Sequence, residues 1–113
     1  MDCIFCKLAA GEIPTEVIYQ DDEMFVFQDQ NPQAPKHLLA IPKEHIASLN
    51  EAGEEHAQLL GSILYRIRKI AEEQGFADDG YRVVNNCGED GGQTVPHLHF
   101  HVLAGRSLQW PPG

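Results

Sequence analysis

The run from His97 to Val102, HLHFHV, alternates three histidines with apolar residues. On an extended strand, residues two apart lie on the same face, about 6.6 Å from one another along the chain. The alternation therefore predicts a fifth strand over residues 97–103, with its apolar members facing the core and three imidazoles lining the other face. A neutral imidazole nitrogen is a competent nucleophile toward phosphorus, and an imidazole beside it can hold a phosphate oxygen or protonate a leaving group.

Two other interpretations of this histidine run stay open. One is a solvent-facing strand whose polar residues are histidines, and the other is a three-histidine metal site, since imidazole is a common zinc ligand. Neighbours two apart on a flat strand must bend to share an ion. We therefore expect at most one or two of the three histidines to ligate a common metal.

The segment before the histidine run is rich in glycine and in hydrogen-bond donors. Glycines allow a backbone to approach a ligand closely and to present its N–H groups. The members that could donate to a phosphate are Asn86, Gly88, Gly91, Gly92, Gln93 and Thr94. A glycine-rich loop alone is more often a simple turn, but beside three histidines it predicts a phosphate pocket.

Cys3-x-x-Cys6 has the spacing of half a zinc site. The chain has three cysteines, an odd number, so a closed disulfide framework is not expected. In a reducing compartment the pair indicates either a metal site or reduced, redox-active thiols. Further metal ligands would have to come from elsewhere, and the histidines outside the run are His37, His45 and His56.

The elements that must position these residues follow from hydrophobic periodicity and from turn residues. Residues 54–74 carry apolar side chains at three- and four-residue spacings, which predicts one long amphipathic helix ending at Gly75. Asp2 is the predicted N-cap of a short helix through Ala10. Shorter β-rich runs predict strands over 17–19, 24–27, 37–41 and 81–85, the first two joined as a hairpin. The pattern predicts an α+β fold with a mainly antiparallel sheet.

Length and charge narrow the range of functions. The 113 residues suffice for a single domain with a real core and are too few for two. A formal charge of −9, from 17 acidic and 8 basic residues, disfavours binding to nucleic acid or to an anionic membrane. The first residues lack the features of a secretory signal, so we expect a cytoplasmic protein.

The histidine run resembles the signature of the histidine triad (HIT) family of nucleotide hydrolases and transferases. The resemblance covers essentially the whole chain, through Ile4-Phe5, Glu12-Ile13-Pro14, Phe27-x-Asp29, Pro32-Gln33-Ala34-Pro35, Ile41-Pro42-Lys43, Gly91-Gly92-Gln93 and Trp110-Pro111-Pro112-Gly113. The Trp-Pro-Pro-Gly tail is similar to that of the Hint-type branch, the purine nucleoside phosphoramidases. The N-terminal Cys-x-x-Cys is similar to that of bacterial members.

This resemblance implies a single HIT domain over 1–113, with a five-stranded sheet, one long and one short helix, and a sheet extended across a homodimer. It implies cleavage of adenosine 5′-phosphoramidates to AMP and an amine, through a nucleotidyl intermediate on His99. AMP, adenosine phosphoramidates or GMP would be the ligands. Two alternatives stay open: a nucleotide-binding regulatory module with little turnover, and a dinucleoside-polyphosphate hydrolase, against which the tail motif argues.

The resemblance also implies roles for individual residues. His99 and His101 would be catalytic, and His101 would also contact phosphate together with Asn86, Gly92, Gln93 and Thr94. The nucleoside would contact Ile4, Phe5, Leu8, Phe27 and Asp29. A structural zinc ion would be held by Cys3, Cys6, His45 and His97, and catalysis would require no metal. From composition alone, the four apolar residues of the nucleoside set would be ordinary core residues.

Overall fold

Five antiparallel strands form one sheet in the computed structural model, which describes residues 2–113. The strand order is β1-β2-β3-β5-β4. The strands span Val17–Gln20 (β1), Met24–Gln28 (β2), Lys36–Pro42 (β3), Tyr81–Val84 (β4) and Phe100–Ala104 (β5), and the helices span Ile4–Ala9 (α1) and Ala57–Gln74 (α2). The predicted α+β class, the five antiparallel strands and the two helices are therefore confirmed.

Helix α2 covers one face of the sheet. Its buried residues Ile63, Ile67, Ile70 and Ala71 recur at the spacing of a single helical face. Burying each large apolar side chain contributes about 1.5–3 kcal/mol to folding. Gly75, whose φ of 85° is left-handed, ends the helix. The same core contains the sheet residues Met24, Val26, Leu38, Ala40, Phe100 and Val102, together with Leu98 just before β5.

The opposite face of the sheet carries helix α1. Because successive strand residues alternate between faces, the residues between those just named point to this side. Phe25, Phe27, Leu39 and Ile41 form a second apolar cluster with Cys3, Phe5 and Leu8 of the amino-terminal segment. The short helix thus lies on the face that receives the histidines.

The alternation predicted for the histidine run is present, but its regular strand is shorter than expected. Strand β5 begins at Phe100 rather than at His97. The chain before it is bent, since the N–H of His97 bonds the carbonyl of Val95 at 2.8 Å and the N–H of Leu98 bonds the carbonyl of Ile46 at 2.6 Å. Leu98 therefore pairs with a loop instead of continuing the ladder, while its side chain still faces the α2 core.

Other boundaries differ from the sequence prediction by one to three residues, and β1, β2 and β3 are each slightly longer than predicted. Cys3, not Asp2, is the N-cap of α1, and its Sγ accepts a hydrogen bond from the N–H of Cys6 at 3.4 Å. Residues 54–56 form a separate 3₁₀ turn, so α2 starts three residues later than predicted. Strand β4 ends at Val84, one residue early.

None of the helices within residues 2–113 is long and apolar enough to cross a bilayer.

Candidate active site and metal centre

A cavity of about 510 Å³ opens on the α1 face of the sheet. Its walls come from α1, β2, β3 and the segment that leads into β5. These walls bring together Ile4, Phe5, Leu8, Phe27, Asp29, His37, Leu39, Thr94, His99 and His101. All five residues predicted to contact a nucleoside and both predicted catalytic histidines therefore lie around one cavity.

The α1 end of this cavity is apolar. The rings of Phe5 and Phe27 meet edge to face, with centroids 5.5 Å apart. Phe5 also packs edge to face against His99 at 5.1 Å. Ile4 is 53% exposed at the rim, while Phe5 and Leu8 are buried. An aromatic and aliphatic slot of this kind suits a flat, weakly polar ring.

His99 is held in one tautomer. Its Nδ1 lies 2.6 Å from the carbonyl oxygen of His97. A carbonyl can only accept, so the neutral imidazole must carry its proton on Nδ1. The lone pair is then on Nε2, and His99 is 4% exposed at the cavity wall. A buried imidazole with one nitrogen anchored and the other unprotonated has the arrangement of a nucleophile.

His101 is held in the opposite tautomer by a chain of hydrogen bonds that starts in the backbone. The N–H of Gln33 lies 3.0 Å from Nδ1 of His37, so that nitrogen accepts and the proton of His37 is on Nε2. Nε2 of His37 lies 2.9 Å from Nδ1 of His101. His101 therefore accepts through Nδ1 and carries its own proton on Nε2.

Burial keeps this pair of imidazoles neutral. The pKa of His101 is lowered from 6.5 to about 4, first by burial and then by the neighbouring His99 and His37. Burial also lowers the pKa of His37, although the carboxylate of Asp29 opposes the shift. At neutral pH, His101 is thus a neutral donor.

Asp29 lines the same cavity beside His37. One carboxylate oxygen, Oδ1, accepts the N–H of Asn31 at 2.8 Å and fixes the turn after β2. The other, Oδ2, lies 3.3 Å from Nε2 of His37. An anchored carboxylate at a cavity wall is a suitable acceptor for the hydroxyls of a sugar.

The predicted phosphate loop is divided by the structure. Thr94 lines the cavity. The amide of Asn86 donates to the carbonyl of Gly91 at 2.6 Å, and Gln93 donates to the carbonyls of Ala47 and Val95 at 2.8 and 3.0 Å. Gly92 has a left-handed φ of 77° within the turn. Asn86, Gly92 and Gln93 therefore shape the loop that presents Thr94, rather than lining the cavity themselves.

The four predicted metal ligands meet on the far side of His97. Nδ1 of His97 lies 3.3 Å from Sγ of Cys3, 3.5 Å from Sγ of Cys6 and 3.2 Å from Nδ1 of His45. Sγ of Cys6 lies 3.3 Å from Nδ1 of His45. Zinc bonds of about 2.0 Å to nitrogen and about 2.3 Å to sulfur imply tetrahedral edges of about 3.3–3.8 Å. These four distances lie near the edges of a tetrahedral zinc site, and all four ligand atoms lie within 4.8 Å of one another.

The tautomer of His97 also fits metal binding. Its Nε2 lies 2.8 Å from the carbonyl oxygen of Pro42 and must donate to it, which leaves the lone pair on Nδ1 among the sulfurs. Burial lowers the pKa of His97, so the neutral form that can ligate a metal is favoured. The donor set and its hydrogen bonding fit zinc.

Comparison with known proteins identifies the family. A family model described as "Scavenger mRNA decapping enzyme C-term binding" matches residues 2–109. The solved structure of a HIT family hydrolase from Legionella pneumophila superimposes with a TM-score of 0.97, at 48% identity over 99% of this chain and all of that one. The chain belongs to the HIT family. The nearby Cys3 and Cys6 fit the N-terminal Cys-x-x-Cys that the resemblance implied.

Two curated relatives agree with this assignment. An uncharacterized HIT-like protein from Synechococcus elongatus is 53% identical over 99% of this chain and 97% of its own length. A protein from Zea mays described as a 14 kDa zinc-binding protein is 46% identical over 97% of this chain and 87% of its own length. This chain thus aligns with most of the length of both relatives.

The sequence assigned no role to His37, the third histidine of this HIT site. His37 is 3% exposed, lines the cavity and contacts His101 directly. The available signal was its position two residues before Leu39, which places both side chains on the cavity face of β3. Pairing it with His101 also required the register between β3 and β5, in which Leu39 lies opposite His101.

Proposed function

We propose that this HIT protein is a hydrolase that cleaves the P–N bond of adenosine 5′-phosphoramidates, releasing AMP and an amine through a nucleotidyl-His99 intermediate. The observation that carries the proposal is the 2.6 Å contact between Nδ1 of His99 and the carbonyl of His97. It leaves Nε2 as the only nitrogen of the ring with a lone pair, beside a donor on His101.

In the first step, Nε2 of His99 attacks phosphorus and the P–N bond breaks. The leaving nitrogen takes the proton from Nε2 of His101 and departs as a neutral amine. A neutral histidine is a competent donor here because the departing nitrogen is far more basic than an imidazolate. Nδ1 of His99 keeps its proton and its bond to His97 throughout.

In the second step, water attacks the phosphorus of the nucleotidyl-imidazole. Nε2 of His101 takes a proton from this water, which restores its starting tautomer, and the P–N bond to His99 breaks to release AMP. The sum is hydrolysis of one phosphoramidate bond by one water molecule. Dividing the displacement into two steps lets one fixed pair of imidazoles serve both.

The substrate would lie along the cavity. The purine would occupy the slot formed by Ile4, Phe5, Leu8 and Phe27, and Asp29 would accept hydrogen bonds from the ribose hydroxyls. The hydroxyl of Thr94 and Nε2 of His101 would donate to the phosphate, with Asn86, Gly92 and Gln93 supporting the adjoining loop. The support for this placement is that the apolar residues of α1 and β2, Asp29, Thr94 and His101 all line one cavity.

We infer that a structural zinc ion is bound by Cys3, Cys6, His45 and His97. Four protein ligands would leave the ion no open position, so it would supply a cross-link rather than catalysis. The ligands would tie the start of α1 to the segment that carries His99. Phe5, which follows the first ligand by two residues, would thereby be held against His99.

We also propose a homodimer whose two sheets join at β4. Within residues 2–113, β4 pairs with β5 on one side only and its four residues are half-buried. An unpaired strand edge is the natural place for a second copy to continue a sheet. Sedimentation equilibrium is expected to give the mass of two chains.

Hydrolysis of a fluorogenic adenosine phosphoramidate tests the function directly. The wild-type protein should turn over, whereas His99→Asn should lose turnover while keeping its affinity for AMP. His56→Asn is the matched control, because His56 lies outside the cavity and bonds Glu44. Tight AMP binding without hydrolysis in the wild type would favour the regulatory-module alternative. Faster cleavage of a dinucleoside polyphosphate would favour the polyphosphate-hydrolase alternative.

A further inference from the structure

Arg106 bonds a loop 73 residues away in sequence. Its Nη2 and Nε donate to the carbonyl oxygen of Gln33, at 2.9 and 3.3 Å. Its Nη1 donates to the carbonyl of Ser107 at 3.2 Å, which fixes the guanidinium from the other side. Two donors of one rigid, planar group converging on a single carbonyl define the orientation of that carbonyl.

The turn before Arg106 reaches the same loop. Gly105 has a left-handed φ of 95°, and a Cβ built there would lie 2.8 Å from Cβ of Pro35. The chain leaving β5 therefore presses on this loop at two points, Pro35 and Gln33. At the other end of the loop, Oδ1 of Asp29 accepts the N–H of Asn31 at 2.8 Å. The backbone between β2 and β3 is thus held at both ends.

The residue that Arg106 holds is one of two that favour the Nε2–H tautomer of His37, the other being Asp29, whose Oδ2 lies 3.3 Å from that nitrogen. The carbonyl of Gln33 accepts from Arg106, while the N–H of the same residue lies 3.0 Å from Nδ1 of His37. Gln33 itself is exposed, so water competes for its carbonyl and for its N–H once the loop moves. The carbonyl and the N–H of Gln33 belong to adjacent peptide planes joined at its Cα, so fixing the carbonyl limits how far the N–H can turn away from the ring.

We propose that Arg106 is a positioning residue which, by clamping Gln33, keeps His37 in the Nε2–H tautomer and His101 as a proton donor toward the cavity; this rests on the proposed hydrolysis. Without the clamp, His37 can place its proton on Nδ1. Its Nε2 then accepts instead of donating, and His101 must place its proton on Nδ1. The cavity would face a lone pair on His101 where the leaving amine needs a proton.

Variants at Arg106 test the positioning role, and a variant of another arginine that bonds a backbone carbonyl is the control. Arg106→Met keeps the length of the apolar stem and removes the donors, and Arg106→Gln is too short to reach Gln33. Arg106→Lys restores a single donor. Arg82→Met is the matched control, because Nη2 of Arg82 also donates to a backbone carbonyl, that of Gln109, at 2.9 Å.

The first readout is the long-range ¹H–¹⁵N spectrum of the imidazoles in the full chain without substrate. The wild type and Arg82→Met are expected to show Nε2–H signals for His37 and His101. Arg106→Met and Arg106→Gln are expected to shift both rings toward the Nδ1–H tautomer, with Arg106→Lys in between. Spectra of either Arg106 variant identical to that of Arg82→Met would overturn the proposal.

The second readout is the single-turnover rate with an adenosine phosphoramidate. Arg106→Met is expected to slow it about fivefold, the effect of one hydrogen bond, while AMP affinity stays unchanged. A tautomer shift with an unaltered rate would contradict the positioning role of Arg106 and leave the proposed hydrolysis standing. A wild type without hydrolysis would contradict the proposed function alone, because the spectra require no turnover. If Arg106→Met does not fold, Arg106→Gln carries both measurements.

Discussion

Nε2 of His37 lies 2.9 Å from Nδ1 of His101, at the point where β3 and β5 run side by side. The other nitrogen of His37 is already engaged by a backbone N–H, so the direction of this hydrogen bond is fixed. His37 donates and His101 accepts. The consequence reaches the cavity, where His101 presents N–H while its neighbour His99 presents a lone pair.

Replacing His37 by leucine should uncouple His101 from this arrangement. His37→Leu removes the donor to Nδ1 of His101, so both tautomers of His101 become accessible. The single-turnover rate is expected to fall about fivefold or more, with AMP affinity nearly unchanged, because one hydrogen bond is lost behind the ring. Rapid-quench kinetics measure the rate. A His37→Leu protein that reacts as fast as a His56→Leu control would contradict this role.

The stability of the protein should depend on pH through His101. Its pKa is about 4 in the folded chain against an ordinary 6.5, chiefly because it is buried. Between these values the unfolded chain binds the proton and the folded chain does not, so the free energy of unfolding falls as pH drops from about 6.5 to 4. Above about pH 6.5 the contribution is constant.

Urea unfolding of metal-free protein across this pH range provides the measurement. His101→Gln should lose stability less steeply than the wild type as pH falls, because it cannot take up that proton on unfolding. The pKa of His37 is lowered as well, and because His37 contacts His101 its contribution changes in His101→Gln, so His37→Leu and the double variant complete the comparison. Parallel curves for the two proteins would show that His101 titrates normally.

Protein purified without chelator is expected to contain one zinc ion per chain. Cys6→Ser should lose the metal and unfold at lower temperature, since a ligand present at about 100 times its Kd stabilises the folded state by about 2.7 kcal/mol. Cys87→Ser is the control, because Cys87 lies outside the four-ligand cluster. A wild type without zinc, or Cys6→Ser with a full complement, would exclude the site.

Asp29 should distinguish ribose from its deoxy forms. Asp29→Asn removes a charged acceptor, and hydrogen bonds to charged groups are worth about 1.5–3 kcal/mol. We expect kcat/KM for the ribonucleoside phosphoramidate to fall about 10- to 100-fold. The 2′,3′-dideoxy substrate should lose much less, and it controls for the contact with His37 at 3.3 Å. An equal fall in kcat/KM for both substrates would show that Asp29 does not act through the ribose hydroxyls.

The fold was largely predictable from the sequence, because its elements are set by local patterns. Strands β2 and β3 are continuous runs of apolar residues because both of their faces are buried, whereas the period near 3.6 of α2 reflects a single buried face. The start of β5 could not be predicted, because it depends on the hydrogen bond between Leu98 and Ile46. That contact joins loops distant in sequence.

The candidate site was predictable to the extent that its residues belong to motifs. The histidine run and the Cys-x-x-Cys pair are visible in one line of sequence. His37 and Arg106 are single residues whose partners are set by strand register and by loop packing. Their contacts with His101 and Gln33 arise only after the sheet has formed.

The nucleotidyl-His99 intermediate is the claim on which the proposed function depends most directly. The measurement is acid-quenched mass spectrometry of the protein during a single turnover of adenosine phosphoramidate. We expect a transient adduct of one adenylyl group, mapped by peptide sequencing to His99, that forms before AMP is released. Release of AMP without an adduct, together with undiminished hydrolysis by His99→Asn, would contradict the mechanism.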